Sequence, residues 1–340
     1  MLKIAIIGLG DVSHVHLAAI KENPTVSLVA ACDIDETLRS SVTGSSFYTD
    51  YEEMLVEEAL DCVHICLPHH LHYEVTKACV EKGIHVFLEK PIAHNMEEGR
   101  ALVKLEEANP DTKICISYQN RMNVTFEKLQ ELVGSGQYGK VTGVKGIVTW
   151  FRPKSYYDLK PWRGMMAQAG GGVMINQAIH TLDLMQLIGG EVETIKGSID
   201  NFFDYGVEVE DTAAATIRFR NGATGLFFAT ITNAADSSVE FQVFCEKGEF
   251  TIKDSLLTVV NDLGEKIELT QDEQLKGRKF YYGASHSRLI NHFYNCIKND
   301  TSDYIHAKEA LISLELVTAI RQSSEKNEAI TLIGNLAHNA

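Results

Sequence analysis

MLKIAIIGLGDVSHVHLAAI, residues 1–20, decides how the chain begins to fold. Leu2–Ile7 is an unbroken apolar run, as expected of a strand buried on both faces of a parallel sheet. Gly8-Leu9-Gly10-Asp11-Val12-Ser13 follows it and opens a helical pattern over His14–Glu22. A strand, a glycine turn and a helix in that order form a dinucleotide-binding fingerprint. Gly8 permits the tight turn, Gly10 lets the backbone approach a pyrophosphate, and the helix N-terminus offers N–H groups to it. The third small position holds Ser13 rather than Gly or Ala. Gly8, Gly10, Asp11, Val12 and Ser13 are therefore the expected cofactor-loop residues. The second strand, Val26–Ala31, leads into Cys32-Asp33. A carboxylate there accepts from a free ribose 2′-hydroxyl and repels a 2′-phosphate. The next residue is Ile34, with no arginine beside it, so NAD is expected in preference to NADP.

The same rhythm continues outward. Cys62–Leu67, Ile84–Leu88 and Lys113–Ser117 read as buried strands, and Glu52–Ala59, Tyr73–Lys82 and Met96–Asn109 as helices. Alternation at this spacing predicts an α/β fold with an N-terminal doubly wound parallel sheet. Past residue 122 the pattern changes. A helix over Val124–Val133 precedes alternating segments Val141–Trp150, Ala213–Phe219, Ala223–Thr232, Val239–Cys245 and Leu256–Val260, and helices return at Ser285–Lys298 and His306–Ser323. These predict a C-terminal α+β domain with a mainly antiparallel open sheet. A chain of 340 residues exceeds the usual size of one core, so the division expected is 1–121 for cofactor and 122–340 for substrate and self-association. The open sheet face predicts a homodimer or homotetramer.

Composition narrows the function classes. A formal charge of −15 excludes nucleic acid as a partner, because phosphates would be repelled. No apolar run is long enough to span a membrane, and MLKIAIIGLG lacks the basic start of a signal peptide. The seven cysteines form no zinc pattern and sit in apolar runs, as reduced thiols of a cytoplasmic protein do. His69, His70 and His72 have no matching thiol or carboxylate cluster, so no metal is expected. His16 lies inside the first helix and reads as structural.

Two further stretches carry chemistry. The fourth strand ends in Phe87-Leu88-Glu89-Lys90-Pro91, which places Lys90 at the carboxyl rim where ligands bind. Gly170-Gly171-Gly172 precedes the apolar stretch Val173–Leu184, on which Asn176, His180 and Asp183 are spaced i, i+4 and i+7 and share one helix face. A polar stripe on a buried helix needs partners or a cavity. A core histidine capped by Asp183 is the bland alternative. Arg152, Lys154, Lys160 and Arg163 cluster with Asp158 the only acid among them, which fits either a phosphate or a solvated loop. Tyr157 and Trp162 fit stacking on a sugar or packing at a domain boundary.

Together the glycine loop, the Glu89-Lys90-Pro91 triplet and the glycine-led helix resemble the glucose–fructose oxidoreductase / inositol dehydrogenase / MocA family. Leu67–His72 (LPHHLH), Tyr118–Arg121 (YQNR) and the run from Tyr156 to Gly164 are similar to family segments. The resemblance implies an NAD-dependent dehydrogenase acting on a secondary alcohol of a sugar, polyol or nucleotide sugar. It implies Lys90 and His180 as catalytic residues, and Asn176, Asp183, Arg152, Tyr157, Trp162 and Arg163 as substrate-binding ones. It adds Leu67, Pro68, His72, Glu89, Lys90 and Gln119 to the cofactor contacts. Inositol-dehydrogenase-like members carry aspartate where this chain has Asn176. An amide can orient His180 but cannot stabilise an imidazolium by charge, so either His180 is less basic here or Asp183 supplies the charge. Two other functions fit the resemblance: glycoside cleavage by transient oxidation, and a non-catalytic NAD-bound regulator.

Overall fold

The computed structural model describes residues 1–273 and 285–332. In chain order its elements begin β1 (Leu2–Ile7), α1 (Ser13–Glu22), β2 (Val26–Cys32), β3 (Ser46–Tyr48), α2 (Tyr51–Glu57), β4 (Cys62–Ile65), α3 (His72–Val80), β5 (His85–Leu88), α4 (Met96–Ala108) and β6 (Ile114–Ile116). There follow α5 (Val124–Gly134), β7 (Val141–Thr149), the short α6 (Ser155–Asp158) and α7 (Met166–Ala169), then α8 (Ile179–Gly189) and β8 (Val192–Asp200). The remainder comprises β9 (Thr212–Phe219), β10 (Thr224–Thr230), β11 (Glu240–Cys245), β12 (Gly248–Lys253), β13 (Leu256–Asn261), β14 (Lys266–Gln271), α9 (Ser285–Asn299), α10 (Ala307–Lys326) and β15 (Ile330–Thr331). The chain divides into two compact units. Met1–Gln119 and His286–Leu311 form the first; Asn120–Ser285 and the chain from Ile312 onward form the second.

In the first unit six parallel strands run in the order β3-β2-β1-β4-β5-β6. Their apolar side chains explain the arrangement: Ile4, Ala5, Ile6, Val63, Ile65, Phe87 and Leu88 are fully buried, so helices must cover both faces. Local signals set where those helices start. The Asp50 carboxylate accepts the Glu52 N–H at α2, and the Asn95 side chain accepts the Glu98 N–H at α4. Strand order reverses between β1 and β4, the switch point at which open α/β sheets bind ligands. The late segment completes this unit. The Ile116 N–H donates to the Ile305 carbonyl, and the Phe293 and Phe87 rings lie 5.8 Å apart.

The second unit holds a nine-stranded sheet in the order β14-β13-β12-β11-β7-β10-β9-β8-β15. Among the described residues only β7 and β10 pair in parallel in this sheet, so it is mainly antiparallel as expected. On β9, Ala213, Ala215, Ile217 and Phe219 point inward and alternate with more exposed residues. Helix α8 covers β7 closely. A Cβ on Gly146 would stand 2.4 Å from Thr181 Cγ2 and 2.8 Å from Met185 Sδ, so only glycine lets the helix settle there. All seven cysteines are free and buried. No helix among the described residues is long and apolar enough to cross a membrane.

Candidate active site

The glycine loop is built by contact rather than by turn preference alone. Gly8 has φ +91°, and a Cβ there would lie 2.5 Å from the Cys66 carbonyl oxygen at the end of β4. The loop therefore leaves β1 pressed against its neighbour across the switch point. Ser13 is fully buried, its hydroxyl donates to the Gly10 carbonyl at 2.7 Å, and it fills the third small position without opening the helix–strand packing. No side chain caps the start of α1; the Ser13 and Val15 N–H groups instead donate to the Gly10 and Val12 carbonyls. Gly10 and Val12 are half-buried and Asp11 is exposed.

Asp33 follows β2. Its Oδ2 accepts the Leu9 N–H at 2.7 Å and its Oδ1 accepts the Asp35 N–H at 3.0 Å. Each carboxylate oxygen keeps a lone pair for a ribose hydroxyl. Ile34 is 91% exposed and carries no charge for a 2′-phosphate. Leu67 and Pro68 continue from β4, half-buried, and Gln119 lies buried shortly after β6. Across the rim the order β2-β1-β4-β5 thus carries Asp33, the glycine loop, Leu67 and Lys90.

Lys90 is half-buried and flanked by two anchors. Before it, Glu89 is buried, with its Oε1 2.9 Å from His16 Nε2 and 3.7 Å from His286 Nε2. Burial alone would raise the Glu89 pKa, but hydrogen bonds from the two histidines hold it well below the ordinary carboxylate value. After it, the Pro91 carbonyl lies 2.7 Å from His72 Nδ1, while His72 Nε2 lies 3.0 Å from the Leu67 carbonyl. Burial pulls His72 down to about 4, and the neutral ring has one N–H, enough for one of these two carbonyls, of which Pro91 is the nearer. Glu89 and His72, expected as cofactor contacts, both direct their side chains into the interior of the unit.

In the second unit the three glycines have separate reasons. Gly170 ends α7 with φ +76°. A Cβ on Gly171 would lie 2.5 Å from Arg321 Nη2, and one on Gly172 1.8 Å from the Glu210 carbonyl oxygen. The expected single helix begins instead as a π-helical turn over Met174–Ala178, which carries Asn176, and continues as α8 with His180 in its first turn. Single π turns recur at functional sites. From Ala169 to Gln186 every residue is buried except Asn176 and His180, both half-exposed. The Asn176 amide makes long contacts to the Gly171 and Gly172 carbonyls, 3.3 and 3.4 Å.

Asp183 does not join them. It is 1% exposed, and Arg121 grips it with Nε–Oδ2 at 2.8 Å and Nη2–Oδ1 at 2.7 Å while the Ser313 hydroxyl donates to Oδ1 at 3.1 Å. Its charge is matched internally, which removes it as the substitute for the aspartate that Asn176 replaces. Tyr157 is also interior, 5% exposed, with burial pushing its phenol pKa upward. Tyr156, which the sequence reading grouped only with a similar segment, is the hub. Its hydroxyl accepts from Gln177 Nε2 at 3.0 Å, and the Arg163 guanidinium lies 4.2 Å from its ring centre. Arg152 lies 5.0 Å from the Trp150 ring and pairs with Asp236 at 2.9 Å, and Arg163 lies 5.8 Å from the half-buried Trp162 ring. Lys154 pairs with Asp158 on the surface.

The residues fit NAD. Gly8 lets the loop press against the end of β4 at the switch point, α1 begins beside it without a side-chain cap, and a single carboxylate closes β2. No group of three or more histidine, cysteine or acidic residues suited to a metal occurs among the described residues. Residues 2–116 match the family described as "Oxidoreductase family, NAD-binding Rossmann fold", and residues 126–251 match "GFO/IDH/MocA C-terminal domain". The chain is 24% identical to the myo-inositol 2-dehydrogenase of Thermotoga maritima, over 97% of this chain and 98% of that one. It is 27% identical to the D-glucoside 3-dehydrogenase of Escherichia coli, over 97% of each. The WlbA dehydrogenase of Bordetella pertussis, solved with NADH and UDP-GlcNAcA, has a TM-score of 0.85 to this chain at 27% identity, covering 98% of this chain and 99% of that one.

Proposed function

Since the chain belongs to the Gfo/Idh/MocA family of NAD-binding oxidoreductases, we propose that it transfers a hydride between NAD and a secondary alcohol carbon of a sugar, polyol or nucleotide sugar. The observation that carries this is the rim order of the first unit: Asp33, the Gly8 loop, Leu67 and Lys90 stand on four neighbouring strands. NAD, when bound, supplies the hydride acceptor. Gly8, Gly10 and the start of α1 hold its pyrophosphate, and Asp33 reads its ribose.

The chain's own residues handle the proton. Oxidation of CH–OH to C=O releases one hydride from carbon and one proton from oxygen. Lys90 hydrogen-bonds the hydroxyl oxygen, and the His180 imidazole takes the proton or shares that task with Lys90. Asn176 orients the histidine without adding charge. Arg152 and Arg163, each set over aromatic rings, offer guanidinium donors to an anionic part of the substrate, which supports a phosphate- or carboxylate-bearing sugar. Seven buried, unpaired cysteines support a reducing, cytoplasmic setting. The open face of the nine-stranded sheet supports a homodimer or homotetramer, which sedimentation of the purified protein reads directly.

The test is a substrate panel. The protein is screened for stabilisation by NAD and NADP, and nicotinamide absorbance is then followed with inositols, glucosides and nucleotide sugars. Net NADH formation supports the proposal. Glycoside cleavage with no net NADH overturns it in favour of transient oxidation. NAD binding with no turnover on any member of the panel overturns it in favour of a regulator.

A further inference from the structure

A buried chain of hydrogen bonds runs behind Glu89. The Tyr294 hydroxyl lies 2.8 Å from His64 Nε2, His64 Nδ1 lies 2.8 Å from His16 Nδ1, and His16 Nε2 lies 2.9 Å from Glu89 Oε1. Tyr294, His64 and His16 are fully buried, and Glu89 is 5% exposed. All four ring nitrogens are engaged. Three bonds in series need three hydrogens, and their direction can be read off. Burial holds the Tyr294 hydroxyl protonated and both imidazoles neutral. The hydroxyl therefore donates to His64 Nε2, His64 Nδ1–H donates to His16 Nδ1, and His16 Nε2–H donates to the Glu89 carboxylate. Every bond points toward Glu89, and bonds aligned in this way strengthen one another. His286 faces the same carboxylate, Phe87 packs against both His64 and His16, and the charges of Glu89 and Lys90 both reach His72.

We propose that Tyr294, His64 and His16 are positioning residues that, through the Glu89 carboxylate, fix the placement of Lys90. The Tyr294 hydroxyl sets the His64 tautomer, that tautomer sets His16, and His16 holds Glu89 ionised one residue before Lys90. His72 secures the other side of Lys90 through Pro91. The proposal rests on the reading of Lys90 as the residue that meets substrate.

The experiment measures the proton affinity of Lys90 without needing a substrate. The full-length protein, saturated with NAD, is acetylated competitively across a pH series, and the Lys90 peptide is quantified by mass. Weakening the chain loosens the anchored Glu89 and, with it, the placement of Lys90, which moves the Lys90 titration midpoint. Tyr294→Phe deletes one oxygen and leaves the packing, and moves the midpoint by at least half a pH unit, about threefold in proton affinity. His16→Leu moves it further, while His16→Gln keeps a donor to Glu89 and recovers most of the shift. Midpoints that stay at the parent value in Tyr294→Phe and His16→Leu, with only melting temperature falling, overturn the proposal and leave the chain a packing feature. Lys90→Met in the substrate panel separates the two readings: full turnover there sinks the catalytic role of Lys90, whatever the labelling result in the other variants.

Discussion

Arg121 holds Asp183 by two parallel hydrogen bonds, 2.8 and 2.7 Å, 62 residues apart in sequence. Both side chains are nearly buried, 11% and 1% exposed. Removing one partner strands a buried charge. Arg121→Met is therefore expected to destabilise the protein by about 3–5 kcal/mol, read by urea unfolding. Loss of turnover with unchanged stability would instead place the pair in the substrate site.

Gly8→Ala forces a methyl group toward the Cys66 carbonyl at a backbone angle that disfavours side chains. The expected result is weaker NAD binding by about tenfold or more, with a stability cost of about 1–3 kcal/mol. Calorimetric titration with NAD checks the first and thermal unfolding the second.

Asp33 and Ile34 set cofactor choice. Asp33→Ser with Ile34→Arg removes the carboxylate that repels a 2′-phosphate and adds a guanidinium that receives it. NADP affinity is expected to rise and NAD affinity to fall, measured by fluorescence titration with NADH and NADPH. An unchanged ratio would mean that the ribose is read elsewhere.

Lys90→Ala and His180→Ala are each expected to lower kcat by about 10²–10⁴-fold, with NAD binding intact in His180→Ala. Asn176→Asp places a carboxylate four residues before His180, the two being the half-exposed positions of a buried stretch. Because the base works in its neutral form, the acidic limb of the pH–rate profile moves to higher pH. A profile that does not move would show that residue 176 does not act on the histidine.

His306 gives a pH effect of defined sign. Its Nδ1 lies 2.8 Å from Glu106, whose hydrogen bond raises its pKa, with burial opposing and Glu309 adding to the rise. A raised folded pKa stabilises the protein fully below the unfolded value of about 6.5. That contribution disappears as pH climbs through the folded pKa. Glu106→Gln should thus cost stability at pH 5.5 and progressively less by pH 9, seen in denaturant midpoints.

The local parts of this molecule were legible in its sequence. The glycine loop, Asp33 and the run to Lys90 each depend on a strand and its next few residues, so short apolar stretches revealed them. Parts that depend on distant segments were not. Asp183 looked like a member of a polar stripe, but its partner stands on another element. His64 offered a signal that went unused, since a histidine within Cys62–Ile65, a strand buried on both faces, must find a partner. That partner, Tyr294, is 230 residues away. Strands β12 and β14 escaped notice for a different reason. The side chains of β14 are largely solvated, and β12 follows β11 after only Glu246 and Lys247, so neither shows a long period-two pattern.

Residues His286–Leu311 complete the sheet unit begun at Met1. During synthesis the nucleotide-binding half must wait, unfinished, while more than 160 intervening residues emerge. A fragment ended at residue 121 would leave His64 without its tyrosine, Phe87 without Phe293 and the β6 edge without its bond to Ile305. The two halves of this enzyme are therefore not to be parted with a protease or a cloning primer: the cofactor-binding half is stitched shut by His286–Leu311.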